Sequence, residues 1–203
     1  MKDLLCLAAD KNLEAALRGL LARPAALGLN AVDFDVLVHP RRDPGCYHEA
    51  HGFLQPFRDR YHHALVVFDR AWEGAPAQNP LVLEQNVRQR LGNDGWGDVV
   101  VIDPEIEVWV WSDSPHVEDC LGWRGRNPDL RTWLHSQGLW TAGRAKPDDP
   151  KEAVDRALRA VRIPRSSAIY GNLARLVSVA RCTDDSFAKF CACLRQWFSP
   201  KAP

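Results

Sequence analysis

Four short apolar runs separated by helical patterns constrain this chain more than any other feature. Residues 4–9 form the first run, followed by Leu13, Leu17, Leu20 and Leu21 at the spacing of one helix face. Residues 64–68 and 99–102 are apolar at every position, and the first of these two leads to Leu83, Val87 and Leu91. The remaining run, residues 33–38, interleaves acids with Phe34 and Val36, as an edge strand does. Strands that are apolar throughout cannot turn one face to water, so they belong to a parallel sheet covered by helices on both sides. The expectation is an α/β fold: a four-stranded, mainly parallel sheet flanked by helices, with a C-terminal helical region.

Composition agrees. A length of 203 residues, 46% hydrophobic and 26% charged, supports a full core and excludes intrinsic disorder. No apolar run approaches the roughly 18 residues of a membrane span, and Asp10 interrupts the N-terminal run too early for a signal peptide. Six cysteines without an export signal or a Cys-x-x-Cys read as reduced, buried thiols of a cytoplasmic protein. The formal net charge is zero, which excludes a uniformly basic nucleic-acid binder. Residues 1–119, however, carry 19 acids against 11 bases, and residues 120–203 carry 7 against 15, balances of −8 and +8. The chain divides accordingly into a sheet-bearing core, 1–119, and a basic helical region, 120–203, packed on it as one unit.

Beyond the fourth run the pattern changes. Asp103-Pro104 reads as the opening of a helix, with Glu105 and Glu107 near its positive end. Trp109, Trp111, Trp123, Trp133 and Trp140 follow, best read as the core of a helical subdomain, with stacking on single-stranded nucleic acid as the alternative. Residues 143–150 form a loop, and helices are expected near 151–161 and 168–179. The last helix carries Phe187, Phe190, Cys191, Leu194, Trp197 and Phe198 on one stripe.

Ligands of an open parallel sheet bind beyond the carboxyl ends of its strands. Asp10 and Glu14 follow the first run, Asp69 the third, and Asp103 and Glu105 the fourth. Hard oxygen donors gathered from separate strands suit Mg²⁺, with Asp10, Asp69, Asp103 and Glu105 as candidate ligands. The competing role is structural, since Asp10 and Asp103 also stand where helix caps would. Lys11, Lys146, Lys151, Arg165 and Ser166 are the candidate phosphate contacts, as nucleic acid, DNA or RNA, would require. Cys46, His48 and His51 fit neither a zinc finger nor a His-Glu-x-x-His helix. P-loop, dinucleotide-binding and Gly-x-Ser-x-Gly signatures are absent from the sequence.

A resemblance adds to this. The strand-acid-helix opening at residues 9–14, the Val-Val-Phe-Asp strand ending at Asp69, and Asp103-Pro104-Glu105-Ile106-Glu107-Val108-Trp109 resemble bacterial TOPRIM-like proteins encoded beside phage-defence genes. His39-Pro40-Arg41-Arg42-Asp43, Lys146-Pro147 and Arg165-Ser166-Ser167 look like an accessory protein of the methylation-associated defence system. The resemblance implies a Mg²⁺ site for phosphodiester chemistry, with Asp10 or Glu14 in the role of the family's glutamate and Asp69 in that of its first aspartate. Catalytic roles then fall to Asp10, Glu14, Asp69 and Glu105. The family's second aspartate is missing from Asp69-Arg70-Ala71, where Glu73, Asp103 or Glu105 would substitute. That departure keeps a second expectation open: a non-catalytic assembly subunit that docks other proteins of the same defence system or its own copies.

Overall fold

The computed structural model describes residues 1–92 and 94–200. Strand β1, Lys2–Ala8, runs into helix α1, Lys11–Leu21, and short α2, Pro24–Leu27. Strand β2, Phe34–Val38, is followed by α3, Arg42–Leu54, and β3, Tyr61–Asp69, by α4, Pro80–Leu91. Strand β4, Gly97–Ile102, ends the sheet. All three strand pairings are parallel, in the order β2-β1-β3-β4. The parallel α/β sheet expected from the apolar runs is therefore present, with every pairing parallel.

Helical structure fills the rest: α5, Glu107–Val110; α6, His116–Cys120; α7, Leu130–Ser136; α8, Pro150–Val161; α9, Ser167–Leu176; and α10, Asp185–Phe198. No helix among the described residues is long and apolar enough to cross a membrane. Helices α9 and α10 lie on α1 and on β4, and a single cluster of buried side chains runs from Leu4 to Leu194. Trp109, Trp111, Trp123 and Trp140 are buried, and each indole N–H donates to a protein oxygen, Trp109 to Ser186 Oγ at 2.8 Å and Trp111 to the Pro150 carbonyl at 2.9 Å. A buried indole with its donor satisfied is core structure. The described cysteines are free, and burial pushes the Cys6 and Cys193 thiols up to about 12, which makes them inert at neutral pH.

Strand β4 is an edge strand, and its outward amides need partners. Glu84, 3% exposed on α4, accepts the Val101 N–H at 3.0 Å, and Lys189 of α10 pairs with its other oxygen. Asp98 accepts the Val99 N–H and is held by Arg88 at 2.6 Å. Side chains thus close the edge while tying α10 to the sheet.

One expectation fails here. No helix opens at Asp103-Pro104: α5 begins at Glu107, with Ile106 before it and no side-chain cap. The backbone beyond β3 and β4 stays paired instead, with Arg70 N–H on the Ile102 carbonyl at 2.8 Å and Ala71 N–H on that of Pro104 at 3.0 Å. The segment bends at residues 103 and 104, across a cis Asp103-Pro104 bond, and Asp103 ties to Arg70 rather than capping a helix.

Helices α1 and α9 cross at glycines. A Cβ on Gly19 would stand 2.7 Å from Ala174 Cβ and 2.8 Å from the Gly171 carbonyl oxygen. Gly19→Ala improves helix propensity by about 1 kcal/mol, yet overpacking of this kind costs about 1–3 kcal/mol. Urea unfolding should show a net loss of stability, and a gain would mean that the crossing is looser than described.

Candidate functional site

In the order β2-β1-β3-β4 the strand order reverses between β1 and β3, and this switch point, beyond their carboxyl ends, is where an open parallel sheet offers room for a ligand. Asp10 stands just beyond β1, and Asp69 is the last residue of β3. Asp10 Oδ1 caps α1, accepting the Leu13 N–H at 2.8 Å. Asp69 is held differently. Its Oδ1 is closed off from solvent and has no hydrogen-bond partner. Burial pushes this carboxyl well above the usual range, with Asp43, Glu107 and Asp10 adding to the effect and the Ile106 amide opposing it.

Asp43, in the first turn of α3, accepts the Asp69 backbone N–H at 2.9 Å and so fixes the helix to the end of β3. Its own pKa is raised, mainly by burial, with Asp10 and Glu105 contributing. Glu107, 1% exposed, completes the group. Its Oε1 accepts from the Tyr170 hydroxyl at 2.6 Å and from Arg165, while Oε2 has no partner. Arg165 also holds Asp155 at 3.1 Å. Burial and the Glu107 charge raise the Tyr170 pKa, so its hydroxyl stays a donor. Asp10 and Glu105 thus act by charge on Asp43, and Asp43, Glu107 and Asp10 on Asp69.

Most other candidates are already partnered. Glu14 holds Lys11 at 2.6 Å and Arg18 at 3.1 Å on the surface of α1. Glu105 pairs with Lys151 and Asp103 with Arg70. Lys146 sits 3.0 Å from Asp184, and Ser166 precedes α9 without a side-chain capping bond. Asp103 and Lys146 line a groove of about 510 Å³ that Asp69 does not reach. Glu73 lies exposed in the loop after β3. Cys46 is buried while His48 and His51 are exposed, so these three do not converge. Among the described residues, no three His, Cys, Asp or Glu side chains converge to hold one ion.

The strand-end reading singles out neither Asp43 nor Tyr170. Asp43 has a signal, a carboxylate five residues after β2, like those following the other strands. Tyr170 has none, because only tertiary packing brings it to Glu107. Compared with protein-family models, with curated proteins and with solved structures, the chain shows no significant match.

Proposed function

We propose that this protein is a divalent-metal-dependent enzyme of TOPRIM type, cleaving or processing nucleic-acid phosphodiesters in bacterial phage defence. The observation that carries the reading is the enclosed, unpartnered Oδ1 of Asp69, in a carboxyl that feels the charges of Asp43, Glu107 and Asp10. Leaving such an oxygen unpaired is costly, and a cation beside it would remove the cost. The donor set fits Mg²⁺, which takes oxygen ligands, binds through one or two carboxylates and keeps several waters. Asp69 and Asp10 would hold it, an arrangement that needs no third convergent protein ligand. When bound, Mg²⁺ supplies a Lewis acid for a phosphate oxygen and lowers the pKa of a bound water.

The chain's own residues supply the positioning. Asp43 fixes the Asp69 backbone, and Tyr170 with Arg165 holds Glu107 by its Oε1. The defence setting rests on the sequence resemblance.

A second reading, a non-catalytic assembly subunit of a cytoplasmic defence complex, is favoured by the cations already in place on Glu14, Asp103, Glu105 and Glu107. One experiment separates the two: calorimetric titration with MgCl₂ and MnCl₂, and cleavage assays on labelled DNA and RNA, for wild type and Asp69→Ala. Metal binding and metal-dependent cleavage are expected for the wild type alone. Absence of binding, or equal cleavage by the variant, overturns the enzyme reading and leaves the assembly role.

A further inference from the structure

Two non-glycine residues among those described have a positive φ, and both are arginines: Arg42 at +51° and Arg162 at +58°. The left-handed region costs an L-residue about 1–2 kcal/mol, and glycine ordinarily occupies it. At Arg162 the helix end explains the conformation. Its N–H returns to the Leu158 and Arg159 carbonyls, and the Ile163 N–H bonds the Leu158 carbonyl at 3.0 Å, a closure that demands a left-handed residue.

Arg42 has no such role, because it begins a helix rather than ending one. It closes a turn, its N–H on the His39 carbonyl at 3.0 Å, and then directs α3 so that Asp43 reaches the Asp69 amide. Glycine would make that turn at lower cost, so the backbone does not account for the arginine. Neighbouring cations do not resemble it. Arg41 is on Glu49, Arg70 on Asp103, Lys151 on Glu105 and Arg165 on Glu107. Arg42 is exposed, makes no ion pair or side-chain hydrogen bond to a described residue, and immediately precedes Asp43 in the chain.

We propose that Arg42 is a substrate-binding residue whose guanidinium takes a phosphate oxyanion at the exposed start of α3. The inference rests on the phosphodiester reading above and names the residue that would hold the phosphate. A guanidinium presents its donors in a planar fork matched to two phosphate oxygens, which an ammonium cannot reproduce.

The test uses the full-length chain with a short fluorescein-labelled oligonucleotide. Anisotropy is followed across salt concentrations with Ca²⁺ present, beside thermal melts. Arg42→Gly should weaken binding roughly tenfold and reduce the salt slope by about one, while the relieved backbone raises the Tm by about 2–4 °C. Arg42→Lys should recover part of the affinity. Arg162→Gly should raise the Tm and leave binding unchanged. Inorganic phosphate that displaces the oligonucleotide from the wild type but not from Arg42→Gly assigns a free phosphate to the site. No displacement assigns the polymer backbone, and either result supports Arg42 as the phosphate contact. Wild-type affinity in Arg42→Gly, or a lower Tm, overturns the inference alone. An oligonucleotide that fails to bind the wild type overturns the phosphodiester reading and the inference together.

Discussion

At neutral pH and without added metal, Asp69→Asn is expected to melt above the wild type. The substitution keeps the size of the side chain and replaces an acid whose charged form burial and the charges of Asp43, Glu107 and Asp10 disfavour with a neutral amide. Relief of that desolvation is worth about 1–3 kcal/mol, or roughly 2–12 °C for a chain of this size. The pH dependence follows from the direction of the shift. The carboxyl titrates higher in the folded chain than its ordinary value of 3.8, so the folded state binds the proton more tightly. Its contribution is fully stabilising below that value and is lost as pH rises through the folded pKa. The Tm gap between variant and wild type should be small near pH 4 and widen as pH rises. Mg²⁺ should then raise the wild-type Tm, because a ligand of the native state stabilises by mass action, and leave Asp69→Asn unmoved. Metal-dependent cleavage should be lost with the carboxylate. Differential scanning calorimetry across pH, with and without MgCl₂, reads all of this. A variant less stable than the wild type at every pH would show that Asp69 is a structural anchor.

The strands were legible because a doubly covered sheet writes itself as uninterrupted apolar residues, and residues 64–68 and 99–102 do so without exception. The site was half legible. Asp10 and Asp69 follow directly from strand ends, whereas α3 is obscured by Pro44, Gly45 and Gly52, so Asp43 did not read as the first turn of a helix facing the sheet. That helix forms because Cys46, Tyr47, Ala50 and Leu54 bury one side. Gly45 is required at its start, since a Cβ there would stand 1.9 Å from His39 Nδ1. At residues 103–107, local rules favour a helix, but backbone pairing with residues 70 and 71 prevails. The basic residues were least legible. Their spacing suggests a surface for phosphate, yet Lys151 and Arg165 meet Glu105 and Glu107 across 46 and 58 residues of sequence. No local pattern records such pairings.

Those pairings give the opposed charges of the two halves a physical use. Glu84–Lys189, Glu105–Lys151 and Glu107–Arg165 each join an acid from residues 1–119 to a base from residues 120–203. Their weights differ with burial. Lys151 is 46% exposed, so Glu105→Ala should cost less than about 1 kcal/mol. Glu107 is the opposite case, at 1% exposure with Arg165 and Tyr170 both on Oε1. Glu107→Ala leaves a half-buried guanidinium and a buried hydroxyl without their acceptor, a loss of about 3–5 kcal/mol, or roughly 6–20 °C in Tm. Replacing both partners with apolar residues, Glu107→Leu with Arg165→Met, should recover much of that stability, because no uncompensated charge then remains. Cleavage should stay absent in the double variant, since Oε2 is gone with the rest of the carboxylate. Chemical denaturation of wild type, Glu107→Leu, Arg165→Met and the double variant forms a cycle that isolates the coupling. A coupling near zero would mean that the Glu107–Arg165 pair adds nothing to holding the two halves together.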